Sequence, residues 1–135
     1  MAIILDEKKY AENIIQKGEV GKKPTSTLFL LSKYYRQEEK LGEKRTNEKL
    51  NEFMRKNYKG YNEALWENII EDISKKGKKY HLQKIDSVDI TESELKQISK
   101  IDSLKYRKLL FTMLCYAKLY NIISETNNGW VNTDI

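Results

Sequence analysis

The sequence predicts an all-α fold, a bundle of five or six helices. Three observations point to this class: apolar residues recur every three or four positions through most of the chain, single glycines follow these segments, and only one segment lacks the helical period. With 135 residues, of which 39% are apolar, the chain is long enough to bury a core. We expect two helical subdomains, a basic half over residues 1–80 and a C-terminal half over residues 81–135, with a minor β element at the connector and the C-terminus.

The first two helices belong to the basic half. Residues 5–17 predict a short amphipathic helix, in which Asp6 can act as the N-cap and Gly18 can end the helix with a left-handed backbone. A flexible joint follows, and a second helix is predicted over residues 25–41, with an apolar stripe opposite lysines and arginines. Both helices are therefore expected to bury one face.

The next two helices share a short linker. Thr46 is the expected N-cap of the third helix, which ends before a turn at residues 57–60. Asn62 is the expected cap of the fourth helix, and Gly77 ends it. The short linker predicts an antiparallel helix pair. The fourth helix is expected to bury a broad face made by Leu65, Trp66, Ile69, Ile70 and Ile73.

A connector without helical period, residues 81–90, separates the two halves and predicts an extended segment with at most one short strand. The strongest local signal follows it, because Thr91 and Glu94 have the spacing of a capping box. Ile90 and Leu95 can complete this helix start as a hydrophobic staple.

A longer helix is predicted to begin after Asp102 or Ser103 and to run to about residue 122. Residues 104–117 are apolar almost all round, which is typical of a helix buried on most sides. We therefore expect this helix to be the central element of the C-terminal half. A turn at residues 125–129 should follow it.

The charge pattern suggests a surface for nucleic acid. The net charge is +5, and all of it lies in the first 60 residues, because the remainder carries as many acidic as basic side chains. Cations attract phosphate, and neighbouring tyrosines can stack on bases of DNA or RNA. The same lysines can equally be solvated helix ends. The candidate nucleic-acid-binding residues are Arg55, Lys56, Tyr58, Lys59, Lys75, Lys76, Lys78, Lys79 and Tyr80.

The tyrosines fall into two expected groups. Those in predicted turns are expected to be exposed, whereas those within helices are expected to edge the core with their hydroxyls at the surface. The first group comprises Tyr58, Tyr61 and Tyr80; the second comprises Tyr34, Tyr106 and Tyr116.

No residue pattern indicates catalysis, a metal or a cofactor. His81 is the single histidine, and the single cysteine, Cys115, lies in an apolar helix that disfavours a reactive thiolate. The N-terminus has no basic stretch before its short apolar run, so we expect a cytoplasmic protein. The longest apolar stretch, residues 109–117, is too short to span a membrane.

Short motifs are distributed over residues 21–60 and 90–131. Examples are Lys33-Tyr34-Tyr35-Arg36, Phe53-Met54-Arg55-Lys56-Asn57-Tyr58 and Asn128-Gly129-Trp130-Val131-Asn132. In these motifs the chain resembles a family of uncharacterised proteins from low-GC Gram-positive bacteria and their prophages. The C-terminal part is similar to the start of a winged-helix domain in phage and plasmid replication modules, although the sequence ends where the second and recognition helices would stand.

Together these observations predict a non-enzymatic binding module of a phage or mobile element. Its basic surface would contact nucleic acid or a replication nucleoprotein complex, and a continuous stripe of cations across both clusters would favour this function. The alternative is a small adaptor or inhibitor that binds a host protein through a helix face, which an exposed apolar face would favour. A homodimer closed by such a face is also compatible with the sequence.

Overall fold

The computed structural model describes residues 4–126, and these divide into two compact units. We call residues 4–84 the N-terminal unit and residues 85–126 the C-terminal unit. The described residues form six helices and no sheet, which confirms the all-α prediction. The helices are α1 (Glu7–Lys17), α2 (Pro24–Gln37), α3 (Glu43–Asn57), α4 (Glu63–Lys76), α5 (Glu92–Ser99) and α6 (Leu104–Thr126).

Several helix ends follow the predicted signals. The Asp6 carboxylate accepts a hydrogen bond from the Lys9 backbone N–H at 3.1 Å, and the Asn62 side chain likewise accepts from Ala64 N–H at 3.1 Å. Gly18 closes α1 with a φ of 68°. A side chain at an N-cap satisfies one of the backbone donors that the first helical turn leaves without a partner.

The start of α3 differs from the prediction. Gly42, not Thr46, is the N-cap, and Thr46 lies inside the helix with its N–H bonded to the Gly42 carbonyl at 2.9 Å. The Thr46 side chain is fully buried, and its hydroxyl has no hydrogen-bond partner among the described residues. The second helix ends at Gln37, four residues earlier than predicted, because the chain turns there into α3.

The core of the N-terminal unit lies where α2, α3 and α4 meet, with α1 packed on α2. The buried face of α4 is narrower than predicted, since Ile70 and Ile73 are buried whereas Leu65 and Ile69 are exposed. Two neighbouring helices cover only one side of α4, so its other side faces solvent. The largest fully buried apolar side chains are Leu28, Leu31, Leu50, Met54 and Ile70.

A buried ion pair ties α1 and α2 to the segment that follows α4. The Lys33 ammonium lies 2.7 Å from Glu7 Oε2 and 3.0 Å from Glu7 Oε1, and both side chains are almost completely buried. Glu7 Oε1 also accepts the Gln83 backbone N–H at 2.6 Å. A buried carboxylate needs such partners because it has lost its water.

Polar side chains of α2 hold the C-terminal end of α4. Ser32 Oγ donates to the Ile73 carbonyl at 2.7 Å, and Arg36 Nη1 donates to the Ser74 carbonyl at 2.7 Å. Gln37 Nε2 donates to the Gly77 carbonyl at 2.8 Å. The last carbonyls of a helix have no partner within it, so these contacts satisfy groups that would otherwise be orphaned.

The connector is extended, as predicted, but the expected strand is reduced to a single antiparallel bridge between Asp6 and Lys84. The predicted capping box is confirmed: Thr91 Oγ1 accepts the Glu94 N–H at 3.2 Å, and Glu94 Oε1 accepts the Thr91 N–H at 2.9 Å. Residues 125 and 126, predicted as the start of a turn, belong to α6. The predicted hairpin turn and winged-helix-like end, at residues 127–135, lie outside the described residues.

The prediction of a buried central helix in the C-terminal half is wrong. No residue of α5 is buried, and Ile123 is the one buried side chain in the described part of α6. The physical reason is that the C-terminal unit offers α6 a single helical neighbour, the eight-residue α5, which can cover one side of it. An apolar helix of 23 residues therefore keeps much of its surface exposed.

Candidate interaction surfaces

The turn between α3 and α4 forms the first candidate surface. Residues 55–61 line an open depression of about 470 Å³. Backbone hydrogen bonds from Tyr58 N–H to the Met54 carbonyl at 2.8 Å and from Tyr61 N–H to the Tyr58 carbonyl at 3.2 Å shape the turn. Gly60 adopts a φ of 76°, which glycine tolerates without strain. The predicted residues Arg55, Lys56, Tyr58 and Lys59 are therefore brought together in one place.

The tyrosines of this turn pack against the protein. The ring centroids of Tyr58 and Trp66 lie 5.7 Å apart, and those of Tyr61 and Trp66 lie 6.4 Å apart. The Tyr61 hydroxyl donates to Asn51 Oδ1, and burial raises the pKa of Tyr61. Both tyrosines are half-buried, so the expectation that turn tyrosines are exposed is wrong. Trp66 supplies an apolar surface that the rings cover.

The cations of the turn differ in what surrounds them. Arg55 Nη2 lies 2.9 Å from Glu63 Oε1, and this contact raises the pKa of Arg55 and lowers that of Glu63. Lys56 and Lys59 are exposed and form no ion pair within the described part of the chain. The two lysines are thus the cations of this turn that are available to an anion.

The second predicted cluster surrounds the C-terminal end of α4. Lys75 lies 3.6 Å from Glu71 and Lys76 lies 2.9 Å from Asp72, each pair on one helix face. Cations there also interact favourably with the negative end of the helix dipole. This gives the cluster a structural role.

The residues that follow, 78–80, differ from one another in what surrounds them. Lys79 lies 5.5 Å from the ring centroid of Tyr80, and Tyr80 packs on Phe29 at 5.6 Å between ring centroids. Tyr80 is therefore half-buried rather than exposed as expected. Lys78 is exposed and has no ion pair among the described residues.

The two clusters do not form one continuous stripe through the turn. Because α3 and α4 are antiparallel, the turn at residues 55–61 and the cluster at residues 75–79 lie at opposite ends of α4. A helix of 14 residues is about 21 Å long. The turn does not bring together the two clusters, whose union in one stripe would have favoured nucleic-acid binding.

The second candidate surface lies on α6 and was missed by the sequence analysis, which placed this helix in the core. Five large apolar side chains on one side of this helix are spaced by three and four residues, and each is between 40% and 62% exposed. Lys118, 2.9 Å from Glu94 on α5, marks the opposite side of the helix. The spacing alone is the signal that could have identified it. We call this set the α6 stripe: Tyr106, Leu109, Leu110, Met113 and Tyr116.

The α6 stripe also reverses the second expectation about tyrosines. Tyr106 and Tyr116, expected to edge a core, are among the exposed members of the stripe. Tyr34 is half-buried, in agreement with the prediction. Exposure of these tyrosines therefore depends on whether another element covers that side of the helix or turn, and not on whether the tyrosine lies in a turn or a helix.

Comparison with protein-family models, curated proteins and solved structures gives no match for this chain. The resemblance to prophage proteins and replication modules therefore stays a prediction. Within the described residues no helix has the length and apolar character needed to cross a membrane. No group of histidine, cysteine and acidic side chains in this part of the chain is placed to hold a metal ion.

Proposed function

We propose that the protein is a protein-interaction module that binds through the α6 stripe. The observation that carries this proposal is that five of the seven exposed large apolar side chains of α6 lie on one side of the helix, while Leu104 and Phe111 lie off that side. An apolar patch of a few hundred Å² is often the place where a protein binds a partner. The proposal corresponds to the adaptor alternative in the sequence analysis.

The rest of the C-terminal unit supports the same function. The capping box stabilises the start of α5, and the Lys118–Glu94 contact joins α5 to the side of α6 that lies opposite the stripe. The stripe is therefore on the side of α6 that α5 leaves open. Apolar residues spaced by three and four positions are the pattern by which one helix packs against another. The expected partner surface is therefore an amphipathic helix.

Site-specific photo-crosslinking tests this function. A photoreactive phenylalanine analogue replaces Met113 in the middle of the stripe, and in the matched control it replaces Leu65, which is 74% exposed on α4. In cells that make the protein, we expect covalent adducts with protein from position 113 and none from position 65. Equal labelling from both positions, or none from position 113, contradicts the proposal.

A second candidate function, nucleic-acid binding, is favoured by the turn between α3 and α4. Lys56 and Lys59 are exposed without ion pairs among the described residues, and they flank Tyr58 in the depression. Two lysines that release counterions from phosphate give weak, salt-dependent binding without base recognition. The candidate surface is therefore smaller than the sequence analysis predicted.

Fluorescence anisotropy with labelled single-stranded and double-stranded DNA tests this second function. The double substitution Lys56→Ala/Lys59→Ala should weaken binding several-fold and reduce the slope of log affinity against log salt by about 2. The matched control is Lys75→Ala/Lys76→Ala, which removes two lysines that already have acidic partners. Equal losses in both variants would indicate general charge attraction, and no binding at low salt excludes the function.

A further inference from the structure

We propose that the α6 stripe binds the α6 stripe of a second copy of this chain, so that the two helices run antiparallel and form a homodimer. This inference rests on the proposed function, since it names the partner of the same surface. It is carried by three features of α6: the exposed apolar area, the order of large and small side chains, and the distribution of charge.

The exposed area suits a small symmetric interface. Five large apolar side chains that are each about half exposed offer at most about 500 Å² per copy, because an aromatic side chain carries about 150–250 Å² and the leucines and the methionine carry less. Two copies that covered all of this area would bury about 1,000 Å² in total, which is below the roughly 1,200–2,000 Å² of stable interfaces and in the range of weak ones. The area indicates an association that is reversible and depends on concentration.

The order of side chains along α6 is compatible with a two-fold axis at Met113. In an antiparallel pair centred there, Leu110 of one copy lies opposite Tyr116 of the other, and Leu109 lies opposite Ala117. Tyr106 lies opposite Tyr120, which is half-buried with its hydroxyl inside the protein. The small side chain of Ala117 leaves room for Leu109, and larger apolar pairs lie on both sides of this contact, so the two helices can approach closely there.

The charges of α6 favour the antiparallel arrangement over the parallel one. Lys105, Arg107 and Lys108 lie near its N-terminus, whereas Glu125, the single acidic residue of the helix, lies near its C-terminus. Each group is at the wrong end for the dipole of its own helix. In an antiparallel neighbour centred at Met113, these cations lie beside residues 118–121 of the partner helix, one to two turns from its negative end. The cation in that stretch, Lys118, already lies 2.9 Å from Glu94. A parallel neighbour would instead bring the exposed Lys105 and Lys108 of both copies to the same end of the pair.

Sedimentation of the purified full chain tests the dimer. We expect the mass to rise from monomer to dimer between about 10 μM and about 1 mM. Met113→Glu should abolish this rise, because it places two carboxylates on the two-fold axis. Leu65→Glu, the same change at an exposed leucine outside the stripe, should leave the rise unchanged. A monomer at the highest concentration, or a dimer that survives Met113→Glu, overturns the proposal.

Because Met113→Glu could also unfold the helix, cysteine crosslinking gives an independent test in a Cys115→Ser background. In the antiparallel dimer the new cysteine of Met113→Cys lies beside the same cysteine of the second copy, and the two should form an intermolecular disulfide. The cysteine of Tyr106→Cys lies far from the same cysteine of the second copy and should not form one. In a parallel dimer each position would lie beside the same position of the second copy, so equal crosslinking at 106 and 113 overturns the antiparallel arrangement. The absence of crosslinking at position 113 overturns the dimer.

Comparison with the photo-crosslinking experiment separates failure of this inference from failure of the proposed function. Adducts between two copies of the chain support both. Adducts between position 113 and a different protein, from a chain that sediments as a monomer, uphold the interaction function and overturn the homodimer. A monomer without adducts at position 113 overturns both.

Discussion

The N-terminal unit and the C-terminal unit both contain helices with a side-chain N-cap, α1 and α4 in the first and α5 in the second, but they differ in what their helices bury. In the N-terminal unit four helices enclose a core and an almost completely buried ion pair, Lys33 with Glu7. In the C-terminal unit α5 buries no side chain, and α6 exposes its stripe. Local signals predicted helices in both units. The comparison teaches that capping and periodicity decide where a helix forms, whereas the number of neighbours decides what it buries.

Breaking the buried ion pair should give the largest effect. Lys33→Met leaves the Glu7 carboxylate buried without its cation and should lower the free energy of unfolding by about 3–5 kcal/mol. Urea denaturation followed by Trp66 fluorescence, in a Trp130→Phe background, measures the loss. The double variant Glu7→Gln/Lys33→Met removes both charges but keeps an acceptor for the Gln83 N–H, so it should be clearly more stable than Lys33→Met alone. A loss below about 1 kcal/mol in Lys33→Met would contradict a desolvated pair.

The next largest effect is expected where α2 and α4 are in close contact. A Cβ atom at Gly77 would lie 2.7 Å from the carbonyl carbon and oxygen of Ser32, so Gly77→Ser should cost about 1–3 kcal/mol. The matched control is Gly42→Ser, because a Cβ atom at Gly42 meets nothing within 4 Å. The control also places a hydroxyl at the N-cap of α3, where serine is favoured. Thermal unfolding compares the two, and equal melting temperatures would contradict the close packing.

A smaller effect of opposite sign is expected at Thr46. Its buried hydroxyl has no partner among the described residues, so Thr46→Val, which keeps the shape and removes the polar group, should raise the free energy of unfolding by about 1 kcal/mol. Urea denaturation measures the gain. A loss of stability would show that the hydroxyl has a partner, such as an ordered water molecule.

The smallest effect concerns the C-terminal unit and depends on pH. Hydrogen bonds from Lys118 and from the Thr91 backbone and hydroxyl lower the pKa of Glu94 to about 2. Because this value lies below that of the unfolded chain, the contribution of Glu94 to stability is present above about pH 4.5 and is lost as the pH falls toward 2. The amide NMR signal of Thr91 should titrate with this midpoint. Lys118→Met should raise it, and a midpoint near the ordinary glutamate pKa in the parent chain would contradict the contact.

Most of the fold could be predicted from the sequence, because the signals involved are local. Asp6, Gly18, Asn62 and the capping box at Thr91 mark helix ends through hydrogen bonds to residues at most four positions away. Thr46 shows where this reasoning fails, since a residue type that suits an N-cap also occurs inside a helix. The gathering of Arg55, Lys56, Tyr58 and Lys59 in one turn was also predictable, because they are neighbours in sequence.

Contacts between distant residues were decided by the tertiary structure alone. Glu7 and Lys33 are 26 positions apart, and no local pattern indicates that their charges meet inside the core. The exposure of Leu65 and of the α6 stripe likewise depends on how many helices surround each one. The sequence by itself determined which segments become helices, because hydrogen bonds and periodicity act within a few residues. Only the tertiary structure decided which apolar faces lose their water and which stay open to a partner, because burial depends on the neighbours that folding brings together.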